Sequence, residues 1–110
     1  MRGARTHADL FDAALQKRRL DAAWVHARQM GHVTIDRALR LTLLAGEVED
    51  PKFERLARRF LIAFIREAEP TLAQVMKVAY ALNSVDDFRD IAGGPRAALR
   101  DLADQLGRLR

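Results

Sequence analysis

The amino-acid sequence predicts an all-α fold, a compact bundle of six or seven short antiparallel helices with no sheet. Three observations predict it: alanine and leucine are the commonest apolar residues, each of the three prolines stands near a proposed helix start, and no alternating β-branched run occurs. A length of 110 residues is that of one domain. We therefore expect residues 1–110 to form a single helical domain, with a flexible N-terminus at 1–5 and a hinge at 93–95.

The first two helices are predicted to form a tight hairpin. Thr6 with Asp9 three residues later approximates a capping box, so the first helix should run from about 7 to 18. A second apolar stripe, two residues out of step with the first, begins after the break at Lys17-Arg18-Arg19. One straight helix could not bury both stripes on one side, and Gly31 should cap the second helix.

The third helix should span 35–45, with Thr34 as its N-cap and Gly46 as its end. Its apolar side chains cover more than one face, so we expect neighbours on both sides of it. Asp50 should then cap the next helix, with Pro51 at the first helical position.

The fourth helix, over 51–69, is predicted to be the central one because its apolar periodicity is the most regular in the chain. Its apolar residues follow three- and four-residue spacing, which buries one stripe of a helix. The predicted inward residues are Phe53, Leu56, Ala57, Phe60, Leu61, Phe64, Ile65 and Ala68.

Three further helices are expected after Pro70. Thr71 and Gln74 have capping-box spacing for a fifth helix that ends near Asn83. Its predicted inward residues are Leu72, Val75, Met76, Ala79 and Leu82. A short helix over 85–92 precedes the hinge, and a C-terminal helix follows over 95–109.

Two resemblances support helical hairpins. The segments Leu20-Asp-Ala-Ala-Trp24 and Ala27-Arg-Gln-Met-Gly31 resemble one tetratricopeptide-type (TPR-like) hairpin near the N-terminus. Three further segments are similar to short, uncharacterised all-helical proteins of actinobacterial type: Arg37-Ala-Leu-Arg-Leu-Thr-Leu-Leu44, Phe53-Glu-Arg-Leu-Ala-Arg-Arg59 and Pro70-Thr-Leu-Ala-Gln-Val75. This resemblance implies an all-helical fold and carries no known function.

Composition excludes several classes of function. The chain has no cysteine, so disulfides and thiolate metal sites are excluded and we expect a reducing, cytoplasmic setting. The longest unbroken apolar run, residues 60–65, is far shorter than the roughly 20 residues of a membrane helix. We therefore expect no contact with a membrane.

The sequence predicts neither an enzyme nor a cofactor, and no metal. The one serine, Ser84, already has a predicted capping role, and no glycine-rich phosphate loop occurs. The histidines His7, His26 and His32 form no HExxH pair, although the last two flank the turn at Gly31. No small-molecule substrate is inferred.

The outer side of the fourth helix is the candidate partner-binding site. The chain carries 16 arginines, three lysines and a net charge of +4, an arginine excess that GC-rich codon usage also produces. Opposite the apolar stripe lie Arg55, Arg58, Arg59, Ile62 and Arg66. Glu54 should pair with Arg58, and Glu69 with Arg66. Arg55 and Arg59 have no acidic residue nearby on the helix. They therefore form ion pairs either with an acidic partner or with the carboxylates of the short helix: Asp86, Asp87 and Asp90.

The C-terminal helix supplies a second candidate surface. Its leucines Leu99, Leu102, Leu106 and Leu109 recur at three- and four-residue spacing. They dock either on their own domain or on a second copy as a dimer seam. Two heptads are too few for an independent coiled coil.

We expect a small, non-catalytic protein-interaction or adaptor module that binds another protein or itself as a homodimer. The alternative is an accessory nucleic-acid-binding or transcription-regulator-like protein that uses the arginine-rich helix face. Residues 69–83 followed by 85–88 resemble the late helices of phage-repressor-type helix-turn-helix domains. However, 56–69 contains neither a turn nor a polar recognition helix, which disfavours DNA binding.

Overall fold

The computed structural model of the chain describes residues 6–84 and 94–109. Within these ranges the chain folds into six α-helices and no strand. The helices are α1 His7–Gln16, α2 Leu20–Met30, α3 Ile35–Glu47, α4 Phe53–Ala68, α5 Leu72–Ser84 and α6 Pro95–Arg108. The radius of gyration is 13.9 Å, close to the about 13 Å of a compact 100-residue domain. The predicted all-α bundle is confirmed, and the expected helix over 85–92 lies outside the described residues.

The N-terminal hairpin forms as predicted. The amide of Asp9 donates to the hydroxyl of Thr6 at 3.1 Å, and the amide of Thr6 donates to the Asp9 carboxylate at 3.3 Å. α1 ends at Gln16, two residues earlier than expected, because Arg18 adopts a left-handed φ of 57° in the turn. Gly31, with a φ of 77°, caps α2. The two helices pack directly against each other.

The other predicted caps have mixed outcomes. The amide of Thr71 donates to Gln74 Oε1 at 2.8 Å and the amide of Gln74 donates to Thr71 Oγ1 at 3.2 Å, so this capping box is confirmed. Thr34 does hold the N-cap position of α3, but its side chain makes no cap hydrogen bond. At α6, Gly94 is the N-cap and Pro95 is the first helical residue.

α3 is the innermost helix of the bundle. Residues 41–46 are all buried. Leu44 belongs to a cluster with α1 and α2, whereas Leu39 and Leu43 belong to a second cluster with α4, α5 and α6. Neighbours on both sides of α3 are therefore confirmed. The prediction that 51–69 is the central helix is wrong, because regular amphipathic periodicity marks a helix with one buried face and one exposed face.

The connection from α3 to α4 differs from the prediction. Gly46 lies inside α3, and the chain turns at Glu49, which has a left-handed φ of 55°. Asp50 stabilises this turn because its carboxylate accepts a hydrogen bond from the amide of Lys52 at 2.8 Å. The Asp50 carbonyl accepts another from the amide of Phe53 at 3.0 Å. α4 therefore begins two residues later than predicted.

α5 buries only part of the predicted face. Leu82, predicted inward, is buried, whereas Leu72 and Met76, also predicted inward, are exposed. The other buried apolar residues of α5 are Val78 and Ala81. The helix is apolar around most of its circumference, so periodicity alone does not select a face. Packing against α4 and α6 on one side determines which face of α5 is buried.

Candidate interaction surfaces

The rotation of α4 is fixed by three buried side chains. Leu56, Phe60 and Phe64 follow each other at four-residue intervals and are buried. The rings of Phe60 and Phe64 stack with their centroids 5.7 Å apart. Successive helical residues rotate by about 100°, so a side chain two residues from a buried phenylalanine points outward. This places Ile62 on the exterior, where it is 57% exposed.

The predicted partner-binding residues together form the outer face of α4, and all are exposed: Arg55, Arg58, Arg59, Ile62 and Arg66. Ile65, which the sequence pattern assigned to the buried stripe, is exposed beside them. That assignment is wrong because Ile65 lies at the edge of the stripe, where the described neighbours of α4 leave it uncovered. The outer face therefore carries two isoleucines among its arginines.

The described residues supply no carboxylate partner for the arginines of this face. No acidic oxygen of the described chain lies within 4.0 Å of their guanidinium nitrogens. The expected pair of Glu69 with Arg66 is absent because Glu69 has a left-handed φ of 47°, which takes its side chain off the helical register. The expected pair of Glu54 with Arg58 is also absent. The predicted alternative carboxylates, Asp86, Asp87 and Asp90, lie outside the described residues.

Two arginines of α3 pair with acids from other helices. Arg37 of α3 donates two hydrogen bonds of 3.0 Å to the carboxylate of Asp12 on α1. This hydrogen bonding is the main reason that the pKa of Arg37 is raised above its usual value. Arg40 of α3 contacts Asp104 of α6 at 2.7 Å. Other exposed arginines, such as Arg28, also lack such pairs in the described ranges, so the outer face of α4 is distinguished by carrying four of them on one helix face.

A cleft of about 700 Å³ lies between α1, α3 and α6. Its walls contain the two ion pairs just described and the carboxylate of Glu47, which Arg18 contacts at 2.9 Å and Arg100 at 3.9 Å. Each of these carboxylates already holds a guanidinium. The ion pairs in this cleft are therefore best explained as contacts that stabilise the packing of the three helices.

The hairpin brings two histidines together. Nδ1 of His7 on α1 and Nδ1 of His26 on α2 lie 3.2 Å apart, which is hydrogen-bonding distance. The sequence places His26 and His32 on either side of Gly31, whereas the packing of α1 against α2 brings His7 and His26 together. Among the described residues no group of three potential ligands could hold a metal ion.

The leucines of α6 divide between the core and the surface. Leu99 is 1% exposed and Leu106 is buried, both within the cluster shared with α3, α4 and α5. Leu102 packs against that cluster, whereas Leu109 is 81% exposed. The described arrangement thus corresponds to docking on the same domain. A dimer seam of all four leucines would require α6 to leave this core.

One exposed surface was missed in the sequence. Leu72, Met76 and Tyr80 of α5, here called the α5 stripe, are 75%, 63% and 71% exposed. Tyr80 also lines a groove of about 740 Å³ between α5 and α6. The sequence feature that could have revealed this surface is the scarcity of charged residues in α5, since Lys77 is the only charged residue from 72 to 84.

The described geometry defines an all-α bundle with two exposed helix faces. No known protein family, curated protein or solved structure matches the chain. The resemblances noted in the sequence therefore stay predictions. No helix in the described part of the chain combines the length and apolarity needed to cross a membrane.

Proposed function

We propose that this protein is a small interaction module that binds an acidic amphipathic helix of another protein on the outer face of α4. The observation that carries the proposal is a charge imbalance: Arg55, Arg58, Arg59 and Arg66 are exposed and have no described carboxylate partner. Such a face favours an anionic partner, because opposite charges across an interface speed encounter and fix register.

The length of the face fits a helix of about three turns. Eleven residues separate Arg55 from Arg66, and a rise of 1.5 Å per residue places their Cα atoms about 16 Å apart along the axis. The first two turns of α4 contain three of the four arginines. A partner helix with acidic residues along both flanks would meet all of them.

The exposed isoleucines favour a protein over a nucleic acid. Ile62 and Ile65 lie among the arginines, and both are about half exposed. Apolar side chains gain free energy when another apolar surface covers them, and a phosphate backbone does not provide that surface. One face of an acidic amphipathic helix provides both an apolar surface for the isoleucines and negative charge for the arginines. Its leucines, at three- and four-residue spacing, lie between its charged flanks.

Nucleic-acid binding is the second candidate function, because four arginines on one helix without a carboxylate partner among the described residues also suit phosphates. Nucleic-acid binding differs from peptide binding in its salt dependence, because counterion release makes affinity for DNA fall steeply as the salt concentration rises. It also makes no use of the two isoleucines. The two functions therefore predict different effects of Ile62→Ser, which removes the apolar side chain without adding a charge that would also repel phosphates.

Binding is tested with three probes: a helical peptide with leucines at i, i+3, i+4 and i+7 flanked by glutamates, the same peptide with lysines for glutamates, and a DNA duplex. The glutamate peptide should bind in preference to the other two. Each exposed ion pair contributes up to about 1 kcal/mol and charge reversal adds repulsion, so Arg55→Glu with Arg59→Glu should weaken binding roughly tenfold. Ile62→Ser should also weaken peptide binding and leave any DNA binding unchanged.

The control variant is Arg19→Glu with Arg28→Glu, which changes the net charge equally at two exposed arginines outside the face. It should alter peptide affinity no more than roughly twofold, because neither arginine belongs to the outer face of α4 and salt screens charges that do not contact the peptide. DNA binding that falls steeply with salt and is lost in the Arg55/Arg59 variant, without binding of the glutamate peptide, would replace the proposal by the nucleic-acid alternative.

A further inference from the structure

The α5 stripe is a surface that the proposed function does not use. Its three side chains lie on the side of α5 opposite Val78 and Ala81, which pack in the core. Leucine, methionine and tyrosine at four-residue intervals, on a helix with one charged residue, have the composition of an interface core. Apolar patches rimmed by polar residues mark contact surfaces.

The spacing of the stripe is symmetric. Leu72 and Tyr80 lie equally far in sequence from Met76, about 6 Å along the axis on either side. When two copies of such a helix pack antiparallel, Met76 lies at the two-fold axis and Leu72 of each copy meets Tyr80 of the other. An isologous contact requires this reciprocity, in which residue i contacts j and j contacts i.

The charges beside the stripe are also self-complementary. Lys77 lies on the α5 wall of the groove and Asp101 on its α6 wall. Both side chains are exposed, and neither forms an ion pair within the described ranges. A two-fold axis repeats every contact, so one Lys77–Asp101 contact between copies would occur twice. The groove beside Tyr80 thus carries one charge of each sign, a set that is complementary to itself.

We propose that a second copy of this chain docks on the α5 stripe, with the two α5 helices antiparallel about a two-fold axis at Met76. The proposal is independent of peptide binding, since α4 presents a different surface. A stripe of three side chains is narrow beside the about 800 Å² per partner of a standard interface. Association should therefore be weak and dependent on concentration.

Cysteine cross-linking gives the sharpest test, because the chain contains no cysteine of its own. Met76→Cys places one thiol at the axis, so a short bis-maleimide should convert this variant mainly to covalent dimer. Ile62→Cys, on the exposed face of α4, is the matched control and should stay mainly monomeric. A mixture of Leu72→Cys and Tyr80→Cys chains should cross-link to each other faster than either variant to itself.

Sedimentation of the unmodified chain provides the second readout. The average mass should rise above the 12.4 kDa of one chain as concentration increases, and Met76→Asp should abolish the rise while Met76→Leu preserves it. Met76→Asp should keep its affinity for the glutamate peptide, which separates this surface from α4. A mass that stays at one chain up to about 1 mM, or equal cross-linking of the Met76→Cys and Ile62→Cys chains, would overturn the proposal. Faster self-linking of Leu72→Cys would overturn the antiparallel arrangement.

Discussion

Replacing Asp12 by alanine should destabilise the protein through Arg37. The Arg37 side chain is 15% exposed, and both of its hydrogen bonds of 3.0 Å end on the Asp12 carboxylate. Without that carboxylate, a mostly buried guanidinium loses its acceptor while remaining charged. Hydrogen bonds to charged groups are each worth about 1.5–3 kcal/mol. Because Asp12 is 48% exposed, water can replace part of this interaction, and we expect a net loss of about 1–2 kcal/mol.

The matched control is Asp104→Ala, which removes the partner of Arg40. Both members of that pair are more than a third exposed, so its loss should cost less than about 1 kcal/mol. In thermal unfolding followed by circular dichroism, Asp12→Ala should lower Tm by about 4–15 °C for a domain of this size. Equal Tm values for the two variants would refute the argument that burial of Arg37 decides the cost.

Three further substitutions test the packing of α6. Leu99→Ala should cost about 2–5 kcal/mol in urea unfolding because Leu99 is almost fully buried, whereas Leu109→Ala should cost less than about 0.5 kcal/mol. Comparable losses of stability for the two variants would show that α6 packs on the core through a different face. Gly107→Ala would ordinarily stabilise a helix interior by about 1 kcal/mol. Here the added Cβ would lie 3.3 Å from the carboxylate of the buried Asp36, so we expect no gain in Tm. A clear rise in Tm would mean that the Asp36 side chain moves away from the added Cβ at little cost in free energy.

The six described helices and the two capping boxes could be predicted because they depend on local sequence. The capping pairs of Thr6 with Asp9 and of Thr71 with Gln74 are satisfied within one turn and need no tertiary contact. The outward position of Ile62 was also predictable, since α4 has one apolar stripe and the opposite side follows from helix geometry.

Which helix is innermost could not be predicted from amphipathicity. α4 has the most regular stripe because one of its faces meets solvent, whereas α3 is covered on two sides and lacks a single stripe. The face that α5 buries was equally undetermined. Both Met76 and Val78 are apolar, and packing against α4 and α6 rather than sequence selects Val78. The α5 stripe was missed for the same reason.

Binding by the outer face of α4 is tested most directly by nuclear magnetic resonance with ¹⁵N-labelled protein and the glutamate peptide. Backbone amide shifts that change during the titration should cluster over residues 55–66. The α5 stripe, from Leu72 to Tyr80, should change little. Shift changes that cluster on another helix, or that occur with the DNA duplex and not with the peptide, would contradict the proposed function.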